Sequence, residues 1–366
     1  MRNLYLLIKP ASSACNLRCV YCFYTDVSAN RHVSNYGMMS RDIAEAVIKR
    51  ALTGTRRVTF GFQGGEPTLW GIERFRFFVE AVNRLNTGGA EIRYALQTNG
   101  ILLNEEWADF FKEHGFLIGL SLDGYKELHD SNRVDAAGQS CFGKVIRAAA
   151  LLRKAKAEFN ILSVVTSKSA SHAEKLYRFY QSQNFGFLQF IPCIDDFESA
   201  GSSLSAAQYG SFLKTMFDLW YRDRMAGRDI SIRFFDDLMG MYKGYPPQQC
   251  SMNGSCPVQF TVESDGGVYP CDFYVLDKWR LGNVRTAGFE AMLTVKEARQ
   301  FIAESLPVNE ECAHCHWYRL CRGGCKRDRE PILNGMPHLN RFCEAYKDFF
   351  GYSYERFAKL CTRFSR

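Results

Sequence analysis

Short β-rich runs alternate with amphipathic stretches through the first half of the chain. LYLLIK (4–9), RVTFGFQ (57–63), EIRYALQT (91–98), FLIGLSLD (116–123), FNILSVVT (159–166) and FLQFIPCI (187–194) have the apolar, β-branched and aromatic make-up of strands. Helical patterns lie between them, such as SRDIAEAVIKRAL with Ser40 as N-cap and NEEWADFFKEHG ending at Gly115. Six strand-then-helix units predict a parallel sheet with right-handed crossovers. Six are too few for a closed eight-fold barrel. Residues 1–235 are therefore expected to form an α/β partial (β/α)6 barrel. Beyond 235 the pattern changes. GYPPQQCSMNGSC is irregular, and QFTVESDGGVYPCDF predicts a hairpin with an Asp-Gly turn between Val262 and Val268. Residues 236–366 are expected to be a small, cysteine-rich α+β domain with a C-terminal helix.

Composition narrows the class. The 366 residues are 46% hydrophobic, enough for two or three cores. The opening MRNLYLLIKPASS is a short apolar run without a cleavage signature. No apolar stretch reaches the ~20 residues of a membrane span. A cytoplasmic protein is expected, and there 14 cysteines point to metal rather than disulfides. The formal charge of +7 invites a nucleic-acid reading. Eleven thiolates holding three four-iron clusters of charge +2 would contribute −5 and leave only +2. No basic stripe with interleaved aromatics stands out either, so neither nucleic acid nor membrane is an expected partner.

The chemistry-bearing residues follow the strands. CNLRCVYC puts Cys15, Cys19 and Cys22 after the first run. GGEPT follows the second, QTNG the third and LDG the fourth, where barrel enzymes carry their active residues. Turn formation accounts for the Gly, Asn and Asp residues taken singly; it does not account for the cysteines. Three thiolates can hold three irons of a four-iron cubane and leave the fourth iron open to an exogenous ligand. Zinc would need a fourth ligand, and the nearest histidine, His32, lies ten residues beyond Cys22. A second group comprises Cys250, Cys256, Cys271, Cys312, Cys315, Cys321, Cys325 and Cys343. Eight cysteines saturate two four-iron clusters, and four-cysteine zinc sites remain the alternative. Cys141, Cys193 and Cys361 are expected to be buried apolar residues.

The C-x3-C-x2-C triplet with its aromatic before the last cysteine resembles the signature of radical S-adenosylmethionine enzymes. The later cysteines resemble the SPASM domain of members that modify peptides and proteins. LLIKPASSACNLRCVYCFY, FQGGEPTL, LQTNG, VESDGGVYPCDFYVLDKWRLGN and WYRLCRGGC together resemble the anaerobic sulfatase-maturating enzymes, over about residues 4 to 350. That resemblance implies oxidation of a cysteine or serine in an unfolded sulfatase to Cα-formylglycine. It implies three [4Fe-4S] clusters, S-adenosylmethionine and a low-potential electron donor of the flavodoxin or ferredoxin type. Cys15, Cys19 and Cys22 would hold the cofactor-binding cluster. Cys250, Cys256, Cys271 and Cys325 would hold one auxiliary cluster; Cys312, Cys315, Cys321 and Cys343 would hold the other.

Further roles follow from the same resemblance. Gly64, Gly65 and Glu66 would meet the methionine amino group, where glycine allows close backbone approach. Ser121 and Asp123 would contact ribose or methionine, and Arg133 the methionine carboxylate. Tyr21 would lie against the cofactor, and Ile194 would offer it backbone or apolar surface. Asp272 would be the proton acceptor, with Tyr24 and Gln63 near the target residue. The nearest rival is a maturase forming a thioether or carbon–carbon crosslink in another peptide. Such enzymes often carry a recognition domain before the barrel, which is not expected where the first strand begins within ten residues of Met1. A non-catalytic metal protein would not require the open three-cysteine site.

Overall fold

The computed structural model describes residues 1–197 and 204–363. Backbone contacts divide the chain into two compact units. The first comprises Met1–Leu122, Asp130–Phe159 and Val258–Phe301; the second comprises Asp123–His129, Asn160–Pro257 and Ile302–Arg366. Among the described residues no helix is long and apolar enough to cross a membrane.

The first unit is built on β1 (Asn3–Ile8), whose inward residues Leu4, Leu6 and Ile8 are buried. A short strand, β2 (Leu17–Cys19), and a two-turn helix, α1 (Phe23–Ala29), carry the first cysteine loop. Then follow α2 (Arg41–Leu52), β3 (Arg57–Phe62), α3 (Ile72–Leu85), β4 (Glu91–Thr98), α4 (Glu105–Glu113), β5 (Phe116–Ser121) and β6 (Arg133–Asp135). β1, β3, β4 and β5 are neighbours in a parallel sheet. Ser40 caps α2 by accepting from the Ile43 N–H, and Asn104 caps α4 by accepting from the Trp107 N–H. The buried faces of α3 and α4 cover the sheet with rings. Phe75 meets Phe62 at 4.9 Å, and Tyr94 stacks on Phe116 at 4.8 Å. Each fully buried ring contributes about 1.5–3 kcal/mol.

The predicted hairpin is present as Thr261–Val262 and Gly267–Tyr269. It joins this same sheet on the far side of β1, pairing Leu7 with Thr261 and Ile8 with Val262 in parallel. β1 thus has neighbours on both edges, so its backbone donors and acceptors are spent in ladders rather than left open.

In the second unit the strand Phe187–Pro192 pairs in parallel with the preceding strand (Ile161 opposite Leu188) and with Ser231–Ile232. All six strand segments expected from the sequence are strands. The sixth stops at Pro192, two residues before Ile194. The long helices Ala206–Met225 and Cys343–Arg363 pack through aromatic rings, Phe217 lying 4.7 Å from Phe357. Cys141 and Cys193 are buried as expected. Cys361 is only half-buried, because it sits on the last turns of the final helix.

Candidate active site

Three segments that follow strands converge in the first unit. β2 leads the cysteine loop into an antiparallel pairing with β6 that sets Cys19 opposite Arg133. Arg133 is 8% exposed, lies over the Tyr21 ring at 5.3 Å and donates to Cys19 Sγ at 3.8 Å. It is therefore part of the cysteine loop's packing and not a surface arginine. Burial pushes the Cys15 thiol up to about 12, and charge on Glu66, Cys19 and Cys22 pushes the same way. Gathered thiols of this kind lose their protons to a metal or cluster that compensates them. The donor set therefore fits a thiolate-held cluster.

The GGEP segment presses on that loop. Gly65 has φ +54°, and a Cβ there would lie 2.2 Å from the Ala14 carbonyl oxygen. The Glu66 N–H donates to the same oxygen at 2.8 Å. Only glycine fits so close an approach in the left-handed region. Glu66 itself is 1% exposed. Its Oε1 accepts from the Thr68 N–H, the Thr68 hydroxyl and the Thr98 hydroxyl, and its Oε2 from the Asn99 N–H. Burial raises its pKa, and those hydrogen bonds oppose the rise. Most of its acceptor capacity therefore goes to tying GGEP to QTNG. Asn99 completes the tie by donating to Asn16 Oδ1 at 2.7 Å, beside Cys15. Ser121, 5% exposed, ends β5.

Tyr24, Gln63 and Asp272 meet. Asp272 Oδ2 accepts from the Tyr24 hydroxyl at 2.5 Å and from Gln63 Nε2 at 3.2 Å. Its Oδ1 is buried with no protein partner. Burial pushes the carboxyl from 3.8 up to about 6; the Lys9 charge and the Tyr24 hydrogen bond pull it down, and Glu263 pushes it up. The result is a half-buried carboxylate with one oxygen held and the other free to take a proton near neutral pH.

Beneath this trio lies a buried ion cluster that sequence reasoning missed. Lys9 Nζ is 2.9 Å and Arg31 Nη1 3.2 Å from Glu263 Oε1, with all three side chains at most 2% exposed. The Ser12 hydroxyl donates to Glu263 Oε2 at 2.7 Å. Burial raises the Glu263 carboxyl, but Lys9 and Arg31 outweigh it and hold the pKa below its ordinary value. Lys9 also lies over the Tyr24 ring at 4.8 Å. The only sequence signals were charges closing apolar runs, in LLIK and TVE.

The second unit holds the remaining sites. Asp123 is fully buried; its Oδ1 accepts from the Val164 N–H at 3.0 Å. Ile194 is half-buried. Cys312, Cys315, Cys321 and Cys343 line one small cavity with Trp317, Tyr318, Tyr346 and Lys347. Burial pushes the Cys321 thiol up to about 12, with Cys343, Cys312 and Cys315 adding to the rise. Asn340 anchors this group by donating to the Gly323 carbonyl at 3.1 Å, while its own carbonyl accepts the Cys343 N–H at 2.8 Å. A Cβ on Gly324 would lie 2.2 Å from Asn340 Nδ2. Four thiols around one cavity fit the set expected for one auxiliary cluster. Cys250 is exposed and Cys256 half-buried. Burial raises the Cys256 thiol; Lys326 and Arg329, which follow Cys325, lower it, and Cys250 raises it. Cys271, in the first unit, opens the turn Asp272–Tyr274.

Residues 10–180 match the Radical SAM superfamily, and residues 254–316 match the SPASM iron-sulfur cluster-binding domain. The chain is 48% identical to the cysteine-type anaerobic sulfatase-maturating enzyme of Clostridium perfringens (strain ATCC 13124), covering 99% of each chain. It is 30% identical to the serine-type anaerobic sulfatase-maturating enzyme of Bacteroides thetaiotaomicron, covering 95% of this chain and 89% of the other. Among solved structures, native anSMEcpe with bound AdoMet and Cp18Cys peptide superposes with a TM-score of 0.94 at 46% identity, covering 99% of each chain. That agreement upholds the fold class expected from the sequence.

Proposed function

The chain belongs to the anaerobic sulfatase-maturating enzymes of the radical S-adenosylmethionine superfamily, and from that premise we propose that it oxidises a cysteine of an unfolded sulfatase to Cα-formylglycine. Cysteine rather than serine is favoured because relatives at 46–48% identity are cysteine-type and those at 30% are serine-type. When bound, the three [4Fe-4S] clusters and S-adenosylmethionine supply a 5′-deoxyadenosyl radical that takes a hydrogen atom from the target Cβ, and a sink for the electron the substrate then loses.

The chain's own residues do the rest. Cys15, Cys19 and Cys22 hold the cofactor-binding cluster. Gly64 and Gly65 open a backbone cradle for the methionine amino group, and Glu66 keeps that cradle against the cysteine loop. Arg133, Tyr21, Ser121, Asp123 and Ile194 complete the cofactor's surroundings. Tyr24 and Gln63 orient Asp272, whose Oδ1 takes the proton from the target thiol. Loss of one hydrogen atom, one proton and one electron from the CH2–SH unit leaves a C=S bond. Water converts it to the aldehyde with release of hydrogen sulfide.

The observation that carries this reading is the split environment of Asp272: Oδ2 doubly held, Oδ1 buried and unpartnered. The functional division we propose stays near residue 235, with the cofactor loops before it and the auxiliary ligands and the base after it. The electron donor in this reading is a low-potential flavodoxin or ferredoxin, met in the cytoplasm, where thiolates stay reduced. The test is anaerobic turnover of reconstituted protein on a cysteine-type sulfatase peptide, read by mass spectrometry. Formylglycine with matching 5′-deoxyadenosine is expected. A thioether or carbon–carbon crosslink in place of the aldehyde would overturn the assignment.

A further inference from the structure

The cavity of Cys312, Cys315, Cys321 and Cys343 has a charged member that the reaction above does not use. Lys347 lines it and lies four residues after Cys343 on the helix Cys343–Arg363, so the two share a helix face. Its ammonium stands 3.4 Å from Glu311 Oε2 and 3.4 Å from Glu344 Oε1. Each glutamate neighbours a ligand in sequence, Glu311 beside Cys312 and Glu344 beside Cys343. The side chains differ in exposure: 34% for Lys347, against 60% for Glu311 and 75% for Glu344. Both carboxylates stand in water, where charge is well screened, while the lysine borders the cavity.

We propose that Lys347 is a positioning residue for electron transfer: its ammonium raises the reduction potential of the four-iron cluster held by these four cysteines, and Glu311 and Glu344 oppose it. This rests on the reading that the four cysteines hold a cluster. Four thiolates around a cubane of charge +2 give a net −2, and one-electron reduction makes it −3. A nearby positive charge stabilises the reduced form more than the oxidised form, and a nearby negative charge does the reverse. Where the electron lost by the substrate passes through this cluster, the higher potential favours that transfer.

The experiment uses full-length, reconstituted protein lacking the Cys15, Cys19 and Cys22 thiols, so that only the auxiliary clusters titrate. Iron content and an EPR-monitored redox titration are measured for Lys347→Met, Lys347→Arg and Glu311→Gln. The signal of this cluster is identified as the one lost when Cys312, Cys315, Cys321 and Cys343 are replaced by serine. Lys347→Met should raise its oxidised-to-reduced ratio at fixed poise on the order of tenfold, about 59 mV for a one-electron couple. Lys347→Arg should restore most of the shift, and Glu311→Gln should move the ratio in the opposite direction. If the ion pair served only to hold the fold, Lys347→Met and Glu311→Gln would act in the same direction. That result, or an unchanged ratio in Lys347→Met at full iron content, would overturn the proposal. No loss of iron on replacing the four cysteines would overturn the cluster reading and the proposal with it.

Discussion

Asp272→Asn separates proton removal from radical generation. In the wild type Oδ2 faces two donors, the Tyr24 hydroxyl at 2.5 Å and Gln63 Nε2 at 3.2 Å. The asparagine carbonyl must take that place, since its amide nitrogen would set donor against donor at Gln63. The amide then occupies the Oδ1 position, which can donate but no longer accept. Loss of a positioned base costs about 10²–10⁴-fold, so formylglycine yield should fall by that factor. Iron content and deoxyadenosine formation should persist, because hydrogen abstraction requires no base. With deuterium at the target Cβ, label should still reach deoxyadenosine. The pH profile gives a second reading. The base works only when ionised, so wild-type yield should climb as pH rises through about 6. Tyr24→Phe removes a hydrogen bond that lowers the Asp272 pKa, and should shift the climb to higher pH. Burial favours the protonated carboxyl. A rise from 3.8 to about 6 means the fold holds the ionised form at a cost on the order of 3 kcal/mol, a cost absent below 3.8 and complete above 6. Asp272→Asn should therefore melt no lower than the wild type at neutral pH. Near-normal formylglycine yield from the variant would remove Asp272 from the mechanism. Loss of iron would instead mean that it supports the Cys271 site.

Gly65→Ala drives a Cβ to within 2.2 Å of the Ala14 carbonyl oxygen at a left-handed backbone position; strain of about 1–2 kcal/mol from φ alone should weaken S-adenosylmethionine binding at least tenfold by calorimetry. Glu263→Gln strands the buried Lys9 and Arg31 charges and should cost about 3–5 kcal/mol in guanidinium unfolding, with Lys9→Met added to Glu263→Gln recovering part of the loss. Replacing Cys312, Cys315, Cys321 and Cys343 together by serine should reduce the iron content from about twelve to about eight per chain. Because burial pushes the Cys15 and Cys321 thiols up to about 12, cluster assembly should release protons and quicken as pH rises, measurable as base uptake during reconstitution.

Much of the fold was legible because it is written locally. β1, β3, β4 and β5 are apolar runs bounded by turn residues, and Ser40 and Asn104 announce their helices as caps. The loops expected to meet the cofactor were marked out in the sequence because barrel chemistry follows strand ends. Glu66 stood out in the sequence as an expected cofactor contact but not as the acceptor of four hydrogen bonds from Thr68, Thr98 and Asn99, which only the folded loops bring together. Arg133 offered no local sign that it would sit opposite Cys19, because a two-stranded pairing across more than a hundred residues leaves no periodicity to read. The grouping of Cys343 with Cys312, Cys315 and Cys321 came from resemblance alone. Physically it depends on Asn340 fastening the start of the last helix to Gly323.

The pairing of Lys9 with Glu263 lies furthest from local sequence, and it explains why the hairpin joins β1 at all. The ladder that sets Leu7 opposite Thr261 and Ile8 opposite Val262 continues with the Lys9 N–H donating to the Val262 carbonyl at 2.8 Å. That register brings Glu263, the next residue, to the Lys9 ammonium. The antiparallel return through Val268 and Tyr269 leads to Cys271 and Asp272. A slip of one residue would turn Glu263 to the opposite face, leave Lys9 and Arg31 uncompensated, and move Asp272 out of reach of Tyr24 and Gln63. The buried ion cluster therefore penalises a misregistered hairpin by several kcal/mol. The position of Asp272, the proposed base, is set by the pairing of Glu263, nine residues before it, with Lys9.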